Sequence, residues 1–181
     1  MSKSTDAGGK DFGADGIDIQ TAMVRHVQAN PDRATRPKHI LWNGQAVWTS
    51  FDVPVPRKGR FQIEFLSESR VAPEGVDVKV EDGSITLPGG ETVQILRTWH
   101  DPRYEEVVEY PFKSKAGVLK VWNVYHRPWP DGRLTDEKWT GNAGFIVEQE
   151  IEGLWLFRCS NGPSEFPDFD QLVFRFSVLG G

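Results

Sequence analysis

Aromatic side chains in two predicted loops are the first candidates for chemistry in this sequence. Trp99 and Tyr104 flank a polar turn. Trp129 and Trp139 lie within residues 126–144, the longest segment without a hydrophobic period. An exposed aromatic ring stacks on the apolar face of a sugar or another flat ligand, while nearby polar groups bind hydroxyls. We therefore predict a ligand-binding surface; the alternative is that these rings close the ends of the core. The predicted binding residues are Trp99, Arg103, Tyr104, Trp129, Asp136, Trp139 and Asn142.

A second group of residues combines imidazoles with carboxylates. Such a pair is typical of general acid–base catalysis, because the pKa of histidine lies near neutrality. The members come from a turn after one predicted strand and from the end of another, so they meet only if strands 92–99 and 118–125 are neighbours. The alternative is a solvated turn with local ion pairs. If the chain is an enzyme, its catalytic candidates are His100, Asp101, Glu105 and His126.

Metal and cofactor motifs are sparse. The sequence has no His-x-His pair, phosphate-binding loop, dinucleotide fingerprint or nucleophile elbow, so we expect no cofactor. An acidic loop at residues 165–170 offers the oxygen ligands that calcium prefers, and Asp168 and Asp170 are the candidates for a structural calcium ion. The single cysteine, Cys159, excludes an internal disulfide, and we predict that it is a buried, inert thiol.

Composition and charge argue against several classes of partner. The formal net charge of -5 provides no basic face for nucleic acid. No segment approaches the roughly 18 apolar residues of a membrane span, and the N-terminus has no apolar signal-peptide core. With one cysteine, a reducing compartment fits best, and we expect a cytoplasmic protein with no membrane partner.

Turn signals and alternating strands predict the scaffold that positions these residues. Asn43-Gly44 separates His39–Trp42 from residues 45–53 and is a strong signal for a type I′ hairpin. The cleanest alternation of apolar and polar residues is at 172–178. Turn signals recur throughout, which predicts about nine or ten short strands in a sandwich or barrel. We expect tryptophans within strands to be core residues; these are Trp42, Trp48, Trp122 and Trp155.

The predicted domain organisation is simple. Residues 1–16 are glycine-rich and polar and are expected to form a flexible tail. Residues 17–181 form one all-β domain, an antiparallel β-sandwich or jelly roll. The segment 17–29 has a mixed pattern, with alternation first and a helical step later, and a strand is preferred over a helix. No helix of ten or more residues is predicted.

Two stretches resemble carbohydrate-binding modules with a galactose-binding-like jelly-roll fold. Residues 48–61, WTSFDVPVPRKGRF, are similar to the early strand, the Pro-x-x-Gly turn and the aromatic of those modules. Residues 169–174, FDQLVF, are similar to their last strand, in which an aspartate precedes alternating apolar residues. The resemblance implies ligand recognition by loops at the end of the sandwich and a structural calcium ion near the chain termini.

The leading functional hypothesis is a non-catalytic module that binds a carbohydrate or similar polar ligand through loops 99–105 and 126–142. The first alternative is a small β-barrel enzyme, an isomerase or hydrolase, that uses the histidine and carboxylate candidates. The second is a protein-interaction or assembly subunit, which would present a large exposed apolar patch.

Overall fold

The chain folds as a sandwich of two antiparallel β-sheets. The computed structural model describes residues 9–68, 73–101, 103 and 106–180, and within them are one helix and fourteen strands. In chain order these are α1 (Ile19–Ala29), β1 (His39–Trp42), β2 (Gln45–Trp48), β3 (Phe51–Pro54), β4 (Lys58–Glu68), β5 (Glu74–Val80), β6 (Gly83–Thr86), β7 (Thr92–Val93), β8 (Ile95–Trp99), β9 (Val107–Ser114), β10 (Val118–Pro128), β11 (Leu134–Glu137), β12 (Gly144–Ile151), β13 (Leu154–Ser160) and β14 (Leu172–Leu179).

The strands divide unequally between the two sheets. The large sheet has the order β1-β2-β12-β13-β14-β4-β9-β6-β7, and the small sheet has the order β11-β10-β5-β8. β3 pairs with the first half of β10, and β11 pairs with its second half. The prediction of an all-β antiparallel sandwich is confirmed. The strands outnumber those predicted, because the segment predicted as one strand at 45–53 is two strands and the predicted loop 126–144 contains β11.

The core lies between the inner faces of the two sheets. Phe157 and Phe174, on neighbouring strands of the large sheet, stack with ring centroids 4.7 Å apart. Burying each such side chain contributes roughly 1.5–3 kcal/mol. From the small sheet, the alternating valines of β5 fill the opposite side; they are Val76, Val78 and Val80.

The strand prediction for residues 17–29 is wrong, because most of this segment is the helix α1. The Asp18 carboxylate accepts a hydrogen bond from the Thr21 backbone N–H at 2.7 Å and so caps the first turn. Ile19 and Ala22 are fully buried in a second apolar cluster beside β1 and β2. The alternation of apolar residues at the start of the segment led to the strand prediction, although Asp18 caps a helix there.

The N-terminal segment is packed where the structure describes it. Of the predicted tail 1–16, residues 9–16 are described, and Phe12 among them is buried. The Asp11 carboxylate accepts hydrogen bonds from the backbone N–H groups of Asn43 and Gly44 at 2.9 and 2.7 Å. Asn43 and Gly44 have φ values of 50° and 79°, which confirms the predicted hairpin. Asp11 therefore joins the N-terminal segment to this turn.

None of the helical structure within the described residues is long and apolar enough to cross a membrane.

Candidate functional site

The outer face of the small sheet carries a row of polar and aromatic side chains. Trp122 of β10 pairs in register with Asp77 of β5, which pairs in turn with Arg97 of β8. Residues paired in this way project to the same face of a sheet. Their sequence neighbours Val121 and Val78 point toward the large sheet in the core, and Trp122 itself is only 3% exposed and packs with the same cluster. The row therefore lies on the outer face of the small sheet.

Asp77 is the buried charge at the centre of this row. Its two carboxylate oxygens accept hydrogen bonds from Arg97 Nε and Nη2 at 2.7 and 2.8 Å, and Trp122 Nε1 donates a third at 2.9 Å. Asp77 is fully buried even though it projects outward, because Arg97 and Trp122 cover it. The hydrogen bond to Asp77 raises the pKa of Arg97, while partial burial opposes that increase. The guanidinium is therefore charged and fixed in orientation.

Trp99 and His126 meet on the same outer face. Gly75 lies between Trp99 and Val124 in the strand register and contributes no side chain. The Trp99 and His126 rings approach to a centroid distance of 4.3 Å. A Cβ at Gly75 would lie only 2.4 Å from the Thr98 carbonyl oxygen, so glycine is required at this position.

Asp136 of β11 connects the Asp77–Arg97 pair with the Trp99–His126 pair. One carboxylate oxygen lies 2.9 Å from His126 Nε2, and the other accepts a hydrogen bond from Arg97 Nη1 at 3.2 Å. The Arg97 guanidinium also lies 5.9 Å from the centre of the Trp99 ring. We name this surface the aromatic–ionic face. Its members are Asp77, Arg97, Trp99, Trp122, His126 and Asp136.

Trp139 extends the aromatic–ionic face beyond Trp122. The centroids of these two rings are 5.3 Å apart, and Lys138 Nζ lies within 5.2 Å of both centroids. Trp139 has φ of 60°, a conformation that costs a bulky residue about 1–3 kcal/mol. The hydrogen bond from its indole N–H to the Thr49 carbonyl, at 2.8 Å, helps to hold this conformation. The indole is 43% exposed.

The structure brings together Trp99, Asp136 and Trp139 from the predicted binding set, but it separates Trp129 from them. The Trp129 indole donates a hydrogen bond to Thr135 Oγ1 at 2.9 Å. Because Thr135 and Asp136 are consecutive in β11, their side chains project to opposite faces. Trp129 is 39% exposed, but it does not belong to the aromatic–ionic face.

Asn142, another predicted binding residue, has a structural role. Its side chain is buried, and its Oδ1 accepts a hydrogen bond from the Ile19 backbone N–H at 3.3 Å. Its Nδ2 donates to the carbonyl oxygens of Ser164 and Glu165 at 2.9 and 3.1 Å. The amide therefore ties the start of α1 to the loop after β13.

The turn at residues 100–106 is described only in part. Arg103 is exposed and forms a two-atom hydrogen-bonded pair with Asp101, with Nη2 2.7 Å from Oδ2. The hydrogen bond from Arg103 lowers the pKa of Asp101 to about 2. The predicted residues Tyr104 and Glu105 lie outside the described residues.

The two histidines of the catalytic alternative lie on opposite faces of the small sheet. The His100 ring stacks on the core residue Phe65 with a centroid distance of 4.8 Å, whereas His126 contacts Trp99 on the outer face. The two histidines were expected to meet only if β8 and β10 were neighbours, and β5 lies between these strands. The structure therefore does not bring His100 and His126 together as an acid–base pair.

The interior holds a thiol and a carboxyl group near each other. Cys159 is fully buried, as predicted, and Glu74 on β5 is buried as well. Burial raises the pKa of the Cys159 thiol well above its usual value, and the charge of Glu74 adds to the increase. The thiol is thus neutral and inaccessible in the folded state.

The proposed calcium ligands are engaged in local contacts. Asp168 Oδ1 accepts a hydrogen bond from the Asp170 backbone N–H, and the Asp170 carboxylate pairs with Arg158 at 2.5 Å. Over the described ranges there is no group of three or more His, Cys, Asp or Glu side chains arranged to hold a metal ion.

Asp77 and Arg97 belong to the aromatic–ionic face but are not among the predicted binding residues. Trp122 is a buried core residue, as predicted, and its indole N–H also reaches Asp77. The available signal was alternation, because polar Asp77 and Arg97 interrupt strands whose other faces are apolar. Comparisons of the chain with protein-family models, with curated proteins and with solved structures gave no match.

Proposed function

We propose that this chain is a non-catalytic binding protein that recognises a carbohydrate, or a similar polar ring-shaped ligand, on the aromatic–ionic face. The observation that carries the proposal is the convergence of Trp99, His126 and Asp136, with a ring contact at 4.3 Å and a contact of 2.9 Å between His126 Nε2 and the Asp136 carboxylate. Flat rings beside fixed polar groups are the elements from which sugar sites are built.

The accessible atoms suit hydroxyl groups. The Asp136 side chain is 48% exposed, so its oxygens can accept further hydrogen bonds from a ligand. The indole N–H groups of Trp122, Trp129 and Trp139 have protein acceptors. That of Trp99 has none within the described part of the chain, so it is free to donate to a ligand.

The polar groups of the face are held in place before a ligand arrives. Arg97 is fixed by Asp77 on one side and by Asp136 on the other. A site whose side chains are already ordered loses less conformational entropy when it binds. The ligand would lie on the outer face of the small sheet, against Trp99, Arg97 and Asp136.

The resemblance to galactose-binding-like modules stays a prediction. It shares the ligand class of this proposal, but it implies recognition by loops at the end of the sandwich and not on the face of the small sheet. We also propose that the protein resides in a reducing compartment such as the cytoplasm, because its single cysteine is buried as an unpaired thiol.

A glycan-array screen followed by calorimetric titration of the sugars that bind tests the proposal. We expect Trp99→Ala and Asp136→Asn to weaken binding at least about tenfold, or 1.4 kcal/mol each. Trp129→Ala is the control, because it removes an indole that is at least as exposed as that of Trp99 but lies outside the face. The absence of any sugar ligand, or equal losses in Trp129→Ala and Trp99→Ala, would overturn the proposal.

A further inference from the structure

A cleft of about 770 Å³ lies between α1, β1 and the segment that precedes α1. The cleft forms because the two halves of α1 are buried to different extents. Ile19 and Ala22, in the first half of α1, are its buried residues, while Val24 and Val27 are exposed. The second half of the helix therefore does not pack closely on β1. The volume falls within the range of about 300–1,000 Å³ that is typical of small-molecule sites.

The base of the cleft is apolar. Phe12 and Ile40 are buried and line it, and Ala29 and Leu41 contribute further carbon surface. Lys10 Nζ lies 5.2 Å from the centre of the Phe12 ring, so a positive charge borders this apolar base. The body of a ligand in this cleft would rest on hydrocarbon.

The permanently charged side chains that line the cleft, Lys10 and Arg25, are cationic. The lining residues include no aspartate or glutamate, although the whole chain has a net charge of -5. Arg25 makes no ion pair with a carboxylate of any described residue, whereas Lys10 pairs with Asp15 at 2.7 Å. The cationic or protonatable lining residues are Lys10, Arg25, His26 and His39.

The two histidines are held by their neighbours. His26 Nε2 donates a hydrogen bond to the Pro37 carbonyl at 2.8 Å, which positions the ring at the side of the cleft. The His39 ring lies 4.9 Å from the Trp48 ring. Lys10 and Arg25 thus give the border of the cleft positive charge, and the base gives it apolar surface.

We propose that this cleft binds a small organic anion, with an acidic head group toward Arg25 and an apolar body over Phe12 and Ile40. A guanidinium with no carboxylate partner among the described residues, beside an apolar surface, is suited to a carboxylate or phosphate attached to an aromatic or aliphatic group. This site is separate from the aromatic–ionic face, and it does not depend on the function proposed for that face.

A pair of fluorescent probes that differ in charge tests this inference. The probes are 8-anilinonaphthalene-1-sulfonate and its uncharged counterpart N-phenyl-1-naphthylamine, titrated at fixed ionic strength. We expect saturable binding of the sulfonate, weakened at least fivefold by Arg25→Gln, and weaker binding of the neutral probe. Ala29→Trp, at an exposed position on the helix, should fill the cleft and reduce the binding of both probes. Arg133→Gln is the control, because it removes an exposed arginine that does not line the cleft.

Competition then identifies the head group. Displacement of the sulfonate by 1-naphthyl phosphate assigns a phosphate ligand, and displacement by 1-naphthoate assigns a carboxylate. Melting temperatures of the variants confirm that each is folded. The inference is overturned if neither competitor displaces the probe, if the neutral probe binds as tightly as the sulfonate, or if Arg25→Gln and Ala29→Trp leave sulfonate binding unchanged.

Discussion

Asp77 and Arg97 form a two-point ion pair across β5 and β8, with donor–acceptor distances of 2.7 and 2.8 Å. Asp77 is fully buried, whereas about a third of the Arg97 side chain is exposed. The pair therefore links a buried carboxylate on the outer face of the small sheet to a partly exposed guanidinium. Because Arg97 also reaches Asp136, the charge that neutralises a buried carboxylate also organises the aromatic–ionic face.

Replacing Arg97 should destabilise the fold. Among the described residues, Arg97→Met leaves the Asp77 carboxylate with the Trp122 indole as its one remaining hydrogen-bond partner. We therefore expect a loss of about 2–3 kcal/mol in the free energy of unfolding. Arg158→Met is the control. Arg158 forms an exposed pair with Asp170, so its replacement should lower the free energy of unfolding by less than about 1 kcal/mol. Urea denaturation measures both values. Equal losses would show that the Asp77 pair contributes no more than a surface ion pair.

The Cys159 thiol should be unreactive in the folded protein. Burial raises its pKa, and the nearby Glu74 adds to this effect, so little thiolate forms at pH about 8. We expect 5,5′-dithiobis(2-nitrobenzoate) to react with the native protein only at the rate of unfolding. In denaturant the reaction should be fast and stoichiometric. Rapid labelling without denaturant would contradict the buried position of the thiol.

The Asp11 carboxylate should make the N-terminal attachment sensitive to acid. Hydrogen bonds from backbone N–H groups, first that of Gly13 and then that of Gly44, lower the pKa of Asp11 below its usual value of 3.8. A lowered pKa in the folded state stabilises the fold above the unfolded-state value, and this contribution is lost as the pH falls through the folded-state value.

We therefore expect Asp11→Asn to lower the melting temperature at pH about 6 and to have progressively less effect below pH about 4. Thermal unfolding followed by circular dichroism over this pH range measures the difference. Asp131→Asn, in an exposed hairpin turn, is a control at a site remote from the N-terminal segment. A difference for Asp11→Asn that does not change with pH would exclude the ionised carboxylate as its cause.

Removing one of two like charges in the large sheet should stabilise the fold. Lys58 of β4 and Lys113 of β9 are directly paired in register and project to the same face. Like charges in this arrangement are destabilising, so Lys113→Gln should increase the free energy of unfolding by about 0.2–1 kcal/mol at low salt. The gain should diminish in about 1 M salt, where the screening length is short.

Lys38→Gln provides the matched control for this prediction. Lys38 pairs with Asp52, so removing its charge should give no gain in stability. Denaturant titrations at two salt concentrations compare the variants. A salt-independent gain in Lys113→Gln would point to a cause other than charge repulsion.

The sequence was sufficient to predict the local features of this fold. Asn43-Gly44 specifies a hairpin because both residues adopt positive φ, and alternation identified the strands. The helix α1 was missed because the alternation near Ile19 outweighed the cap at Asp18. A capping side chain is a single hydrogen bond, and its effect depends on the buried cluster that the helix joins.

The candidate site was predictable only in part, because strand order is not encoded locally. Trp99 and Asp136 were identified as binding residues, but their connection requires Arg97 and His126 on two different strands. The insertion of β5 between β8 and β10 creates this face and also separates His100 from His126. Such long-range pairings depend on the whole set of strands.

The most direct test of the proposed binding face is nuclear magnetic resonance of the seven indole N–H groups during titration with sugars. Each tryptophan gives one signal, and single substitutions assign the signals. The account predicts saturable shifts of the Trp99 and Trp139 signals, with little change for Trp129. Shifts confined to Trp129, or no saturable shift of Trp99 with any sugar tested, would contradict it.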